Sequence, residues 1–246
     1  MRNENQKIKR MTAVALFIAL AYVCMYVFRI KVSFLTFDAK DAVMTIGACF
    51  FGPVSGIIMP LIVALLELIT VSDTGLYGFL MNFISSAAFC GVAALVYKYR
   101  RSASGALIAM GAAVVSMTAT MMVFNLIVTP FYMGATVAEV AGMIPTLLLP
   151  FNIAKALLNA ALVLILYKPV STALHRAGFV SVSGHAGKET EAGSAAPDSA
   201  AAGEAARKSK RLLSKRTVIS IAVGIAAAVA AILIFFLLLD GQFSLY

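Results

Sequence analysis

The chain has 246 residues, of which 61% are hydrophobic and only 13% are charged, and its mean hydropathy is +0.94. This composition excludes a soluble globular domain and indicates a protein that crosses a membrane several times. The net charge of +9 does not indicate nucleic-acid binding, because the basic residues cluster at the ends of apolar segments and in one tail, where they act as topology signals.

Residues 1–10 are polar and are predicted to be a cytoplasmic N-terminus. The apolar segment that follows, at 11–28, is too long for the core of a cleaved signal peptide and has no convincing cleavage site after it. We therefore predict a retained first helix.

Further apolar segments lie at 42–51, 53–70, 75–97, 105–129, 145–167 and 217–239. The segment at 42–51 is too short for the roughly 20 residues that a spanning helix needs. Gly52 and Pro53 separate it from the next segment, so we expect a helix broken at this point and covered by protein.

The distribution of lysine and arginine tests this arrangement. Of the 20 basic residues, 16 fall on the predicted inner side, only Arg29, Lys31 and Lys40 fall in the predicted outer loops, and Lys155 lies within an apolar segment. The asymmetry predicts an all-α membrane domain of six transmembrane helices over 11–170, with both of its ends in the cytoplasm.

The rest of the chain extends this domain. Residues 171–216 read as a flexible, basic cytoplasmic linker, because residues 178–206 are rich in Gly, Ala and Ser and a basic run follows them. The segment at 217–239 predicts an additional transmembrane helix, followed by a tail at 240–246. We expect this helix to anchor the chain or to pack against other helices, and we assign it no chemistry.

Motifs for catalysis or ATP hydrolysis are absent from the sequence. There is no GxxxxGK[ST], HExxH or GxSxG motif, and both histidines, His175 and His185, lie outside the apolar segments. The cysteines Cys24, Cys49 and Cys90 have neither zinc-site nor CxxC spacing, so we expect them to pack in the bundle. The chain is predicted to be a binder or carrier and not an enzyme, with no cofactor and no metal.

Polar residues inside apolar segments raise the free energy of membrane insertion, so their presence usually indicates a function. Asn152, Lys155 and Asn159 have the spacing i, i+3, i+7, which places them on one helix face. Lys155 could instead extend its stem outward to water, but this alternative does not explain two amides on the same face. We predict that the face lines a ligand cavity.

Three other polar residues are candidates for the same cavity. Asn125 lies late in the fifth helix and could equally form an interhelical hydrogen bond. Asn82 is a weaker candidate, and Glu67 could either pair with Lys155 or face the outer water. One cation and several amides, with aromatic residues nearby, suit a flat uncharged heterocycle better than a metal ion or a strongly anionic ligand.

Small residues on the first helix form a second candidate surface. Ala15 and Ala19 make an AxxxA pair, which allows another helix to approach closely. A carrier without its own ATPase needs a partner, so we predict that this stripe is a docking surface.

Five stretches together resemble a known family. They are "ALFIALAYV", "FLTFDAKDAVMTIGACFFGPVSGIIMPLI", "GFLMNFISSAAF", "FNLIVTPFY" and "LPFNIAKALLN", within about residues 10–170. The sequence is similar to the substrate-binding S components of energy-coupling factor (ECF) vitamin transporters, and the "N..K" of the sixth helix points to the riboflavin-binding members.

The resemblance implies a protein of the cytoplasmic membrane that captures riboflavin from outside and works with a T component and two ATPases. It implies that Asn125, Asn152 and Lys155 hydrogen-bond the flavin and that Ala15 and Ala19 dock on the T component. The implied outer lid consists of Leu35, Thr36, Phe37 and Asp38.

Three alternatives stay open at this point. The ligand could be a different vitamin or heterocycle. The chain could be an autonomous secondary carrier, for which only Glu67 offers a coupling carboxylate deep in the membrane. It could also be a non-transporting assembly protein, in which the polar face of the sixth helix would only join helices.

Overall fold

The structure is a computed structural model that describes residues 2–32, 35–177, 179 and 215–239. Its elements are α1 (Arg2–Val27), β1 (Ile30–Val32), β2 (Leu35–Phe37), α2 (Lys40–Phe51), α3 (Ser55–Thr70), α4 (Gly75–Tyr99), α5 (Ala103–Met133), α6 (Val137–Met143), a π-helical stretch (Ile144–Leu148), α7 (Leu149–Arg176) and α8 (Lys215–Leu239). Most of the predicted linker and the predicted tail at 240–246 lie outside the described residues.

Four helical segments are long and apolar enough to cross a membrane, namely Glu4–Val27, Gly75–Tyr99, Ser104–Met133 and Val137–Leu174. Ser55–Thr70 and Ile221–Ile234 are shorter apolar helices. The chain is therefore a mostly helical membrane protein. The count of six crossings plus one stays a prediction.

Helix α2 is short and lies inside the bundle. Its 12 residues span about 18 Å, well below the roughly 30 Å of a hydrocarbon core, and ten of them are buried. Gly47 approaches α1 so closely that an added Cβ would lie 2.9 Å from the Phe17 ring. The predicted break is confirmed, because α2 ends at Phe51 and Gly52 has a φ of 96°.

A β-hairpin occupies part of the predicted outer loop, so the prediction of an all-α fold needs correction. Strands β1 and β2 pair antiparallel, with Ile30 opposite Phe37 and Val32 opposite Leu35. Branched and aromatic residues favour extended backbone here, but six residues in two short runs give a weak sequence signal.

The helical stretch that ends in α7 is longer than predicted at both ends. The chain is helical from Val137 through α6, the π-helical stretch and α7 to Arg176, whereas the apolar segment predicted only 145–167. The first six residues of the predicted linker, 171–176, are therefore helical.

Helix α8 packs along α7 and also contacts α5. A Cβ added at Gly224 would lie 3.2 Å from the carbonyl oxygen of Ala161, so the two helix backbones approach closely. Ala231 is fully buried, while Val229 and Ile232 on the other side of α8 are exposed. The additional helix is thus part of the bundle and presents an apolar face outward.

Candidate ligand-binding site

Lys155 on α7 joins this helix to the hairpin. Its Nζ donates to Asp38 Oδ2 at 3.0 Å and to the carbonyl oxygen of Thr36 at 3.2 Å, and only 4% of the residue is exposed. The side chain therefore points into the protein. The alternative in which Lys155 extends outward to water is wrong.

A second buried ion pair connects α2, α3 and α4. Lys40 Nζ donates to Glu67 Oε1, and Asn82 Nδ2 donates to Glu67 Oε2 at 2.8 Å. Glu67 therefore neither pairs with Lys155 nor faces the outer water, since its partner is Lys40 and only 4% of Glu67 is exposed. The placement of Lys40 in an outer loop is also wrong, because it lies buried in the first turn of α2.

Asn159 lies on the same face of α7 as Lys155 but is used within the protein. Its Oδ1 accepts from the backbone N–H of Ala42 at 2.9 Å, and its Nδ2 donates to the carbonyl oxygens of Asp38 at 3.1 Å and Lys155 at 3.0 Å. The residue is fully buried and is not among the residues that line the two cavities described below. The structure thus places it deeper than a ligand-facing position.

Sequence reasoning missed two charged residues of this cluster, Lys40 and Asp41. Asp41 is fully buried, and its Oδ1 accepts from Ser86 Oγ at 2.5 Å. The available signal was their position directly before the apolar segment 42–51. Residues directly before an apolar helical segment commonly form the first turn of that helix, so both could have been assigned to α2.

The charge cluster fixes the ionisation of Asp38, which lies between β2 and α2. Burial alone raises the pKa of this carboxyl, but Lys155 and Lys40 outweigh burial and hold the pKa below its ordinary value. Asp38 is therefore a carboxylate. It holds the end of the hairpin to α7 through Lys155.

Two adjoining cavities lie beside the hairpin, with volumes of about 280 and 80 Å³. Both are lined by Leu35, Thr36, Thr74 and Asn82, so they share a wall. Together they exceed the roughly 300 Å³ at which small-molecule sites begin. The larger cavity is charged, since Asp38, Lys40 and Glu67 also line it. The smaller cavity is further lined by Tyr77, Gly78, Met81, Ser85, Met121, Asn125, Tyr132, Phe151, Asn152 and Lys155.

The smaller cavity brings together most of the predicted amides. Asn125 Nδ2 donates to the carbonyl oxygen of Met121 at 2.7 Å, and Asn152 Nδ2 donates to that of Leu148 at 2.8 Å. Each bond uses one of the two N–H donors of its amide, and the second donor is available to a ligand. Intrahelical bonds thus orient both amides before any ligand binds.

The residues of β2 meet two different surroundings. Leu35 and Thr36 line the cavities, whereas Phe37 packs edge-on against Phe151 of α7, with ring centroids 6.1 Å apart. Of the four predicted lid residues, Phe37 therefore anchors the hairpin. Asp38 anchors it as well, through its ion pair with Lys155.

The predicted docking residues Ala15 and Ala19 are exposed on α1, next to exposed Leu16 and Leu20. They lie away from both cavities. Among the described residues, no group of three or more His, Cys, Asp or Glu side chains is arranged to hold a metal ion.

A helical membrane bundle with a polar, amide-rich cavity beneath a short hairpin defines a membrane-embedded binding protein for a small molecule. Comparison with known proteins agrees with this class. The family described as "ECF transporter, substrate-specific component" matches residues 9–171. The chain belongs to this family, whose members are substrate-binding subunits of transporters and not enzymes.

Two relatives are similar over most of their length. The chain is 29% identical over 182 residues to the "Riboflavin transporter RibU" of Staphylococcus aureus (strain TCH60). This match covers 70% of this chain and 95% of the relative. A solved structure titled "Structure and mechanism of the S component of a bacterial ECF transporter" matches with a TM-score of 0.59 and 27% identity, and the match covers 68% of this chain and 98% of that one. The family match ends at residue 171, so α8 lies beyond it.

Proposed function

We propose that this protein is a riboflavin-binding S component of an ECF transporter. The observation that carries the proposal is the convergence of Asn125, Asn152 and Lys155 on one cavity beside the hairpin. The similarity to a protein named as a riboflavin transporter supports the same ligand.

The side chains that line the smaller cavity suit the polar edge of the riboflavin ring system. The flavin ring is flat and uncharged, and one edge carries carbonyl oxygens beside an N–H group. Amides both donate and accept, so Asn125 and Asn152 can complement that edge, while Lys155 donates to a ring oxygen. Tyr77, Tyr132 and Phe151 supply aromatic surface for the faces of the ring.

The larger cavity suits the polar part of the ligand. The ribityl chain of riboflavin carries several hydroxyl groups, and Asp38, Lys40, Glu67 and Asn82 offer charged and amide partners for them. Because the two cavities adjoin at Thr36 and Asn82, one molecule would be able to extend through both.

The remaining parts of the proposal concern transport. The protein lies in the cytoplasmic membrane with its N-terminus inside, captures riboflavin from the outer side, and is driven by a T component and two ATPases. The exposed stripe at Ala15 and Ala19 is the surface proposed to dock on the T component.

A titration tests the ligand assignment. Purified protein is added to riboflavin, and quenching of flavin fluorescence is followed to saturation, with thiamine and biotin as competing ligands of different shape. We expect saturable quenching at one riboflavin per chain, and we expect neither thiamine nor biotin to displace the bound riboflavin. Absence of quenching by protein that is folded would refute it.

A further inference from the structure

A third cavity, of about 270 Å³, lies far from the proposed riboflavin site. Residues 163–172 of α7 line it, so it is centred about 20 Å further along this helix than Lys155. It lies at the end of the bundle that the basic residues predict to face the cytoplasm. None of its lining residues takes part in the ion pairs or amide contacts of the outer site.

The cavity changes from apolar to polar along its depth. Its interior is formed by buried side chains, among them Met110 and Leu164. Its mouth is formed by exposed polar residues, Ser102, Lys168 and Thr172. This arrangement matches an amphipathic molecule whose hydrocarbon enters first and whose charged group stays at the surface.

The polar atoms on the cavity wall have partners within the protein. The hydroxyl groups of Tyr97 and Tyr167 hydrogen-bond each other at 2.8 Å, and the Tyr167 ring stacks on Phe50 with centroids 5.2 Å apart. Because these hydroxyls are already paired, the wall does not require a polar ligand. Hydrocarbon can occupy the interior without leaving these polar groups unsatisfied.

Helix α8 contributes one wall of the cavity through Ile221. The close approach at Gly224, one turn further along, holds this wall against α7. Since the family match ends at residue 171, this wall lies outside the matched region. The matched helices alone would leave this side of the cavity open.

The charge at the mouth is positive. Lys168 lines it directly, and Ser102 immediately follows Arg100 and Arg101, which are exposed in the loop between α4 and α5. Basic pockets between transmembrane helices on the cytoplasmic side bind anionic lipid headgroups. A phosphate at this mouth would meet one lysine directly and two arginines nearby.

We propose that this cavity binds one anionic phospholipid of the inner leaflet. An acyl chain enters the apolar interior between α5, α7 and Ile221 of α8, and the headgroup phosphate contacts Lys168 and the hydroxyl groups of Ser102 and Thr172. The additional helix thereby completes a lipid site that is independent of riboflavin binding.

Native mass spectrometry of the full chain tests the proposal, with phosphatidylglycerol and phosphatidylcholine that carry the same acyl chains as probes. Lys168→Gln removes the charge at the mouth, and Lys98→Gln is its matched control, because Lys98 is an exposed lysine at the same end of the bundle that is not among the lining residues. Ala106→Phe fills the interior. Riboflavin quenching or, if riboflavin does not bind, thermal unfolding shows that each variant is folded.

The expected result is one tightly bound phosphatidylglycerol per chain, weaker binding of phosphatidylcholine, about fivefold weaker phosphatidylglycerol binding for Lys168→Gln, and no change for Lys98→Gln. Ala106→Phe should abolish binding of both lipids. Equal losses for the two lysine variants would indicate general surface attraction and overturn the proposal. Equal binding of both lipids to the wild-type protein, or undiminished binding to Lys168→Gln, would also overturn it.

Discussion

Replacing Lys155 by methionine tests the ligand site most sharply, because methionine keeps the length and apolar volume of the stem. Two of the three N–H donors of Lys155 bond Asp38 and Thr36, and we propose that the third bonds riboflavin. A hydrogen bond to a charged group contributes about 1.5–3 kcal/mol, so the Kd for riboflavin should rise about 10- to 150-fold.

The same change leaves the buried Asp38 carboxylate with Lys40 as its remaining cation, with Nζ 3.6 Å from Oδ2, and this second effect must be separated from the first. Leaving a buried charge without any partner costs about 3–5 kcal/mol of folding stability, so the single variant should lose less than this and unfold at a lower temperature. Combining Lys155→Met with Asp38→Asn removes the weakly paired charge. The double variant should recover much of the lost stability but not the lost affinity.

Fluorescence titration with riboflavin and thermal unfolding of each variant provide the two readouts. If the folded Lys155→Met protein binds riboflavin within twofold of wild type, the direct contact does not exist. If the double variant regains full affinity, Lys155 acts only by holding the hairpin through Asp38. Either result would refute the proposed contact.

Three further predictions concern other parts of the molecule. Asn159→Leu should lower the folding stability by several kcal/mol, because it breaks three buried hydrogen bonds of about 1 kcal/mol each and leaves their partners unpaired. Asn152→Leu should mainly weaken riboflavin binding. Thermal unfolding and riboflavin titration distinguish the two effects. Ala19→Trp should block riboflavin uptake by cells that contain the T component and ATPases while purified protein still binds riboflavin, and Val115→Trp on an exposed face of α5 should change neither. Gly224→Val should lower the thermal stability by about 1–3 kcal/mol, since its Cβ would press on the backbone of α7.

Specific outcomes would contradict each of these predictions. A stable Asn159→Leu protein with weak riboflavin binding would return Asn159 to the ligand site. Loss of binding together with transport in Ala19→Trp would indicate misfolding and not a lost docking contact. An unchanged unfolding temperature for Gly224→Val would mean that α8 contributes little to the packing of the bundle.

The positions of the helices could be predicted from the sequence because long apolar runs leave few alternatives in a membrane. The break at Gly52 followed from the same argument, since Gly-Pro ends a helix and the preceding run was too short. The helix ends could not be predicted as well. At Lys40 the polar residues belong to a buried first turn of α2, and composition alone does not distinguish such a turn from a loop.

The candidate site shows a similar division. The spacing of Asn152, Lys155 and Asn159 correctly predicts one shared face of α7, because the helical period fixes it. The period does not fix what that face meets at each depth. Asn152 and Lys155 meet the cavity, whereas Asn159 meets the start of α2, and this difference depends on how α2 and the hairpin pack.

The pairing of charges also depended on tertiary structure. Glu67 lies on α3 and its partner Lys40 lies 27 residues earlier, at the start of α2. No periodicity links the two positions. Because the sequence analysis assigned Lys40 to a loop, Lys155 was the remaining basic residue within the apolar segments and was considered as the partner of Glu67. In the structure Lys155 pairs with Asp38 instead.

Binding of riboflavin in the cavity beside the hairpin can be tested by one titration of the purified wild-type protein. Riboflavin fluorescence should be quenched to saturation at one molecule per chain, and the flavin absorbance should stay with the protein through size-exclusion chromatography. A folded, colourless protein that leaves the fluorescence of added riboflavin unchanged would show that riboflavin is not its ligand.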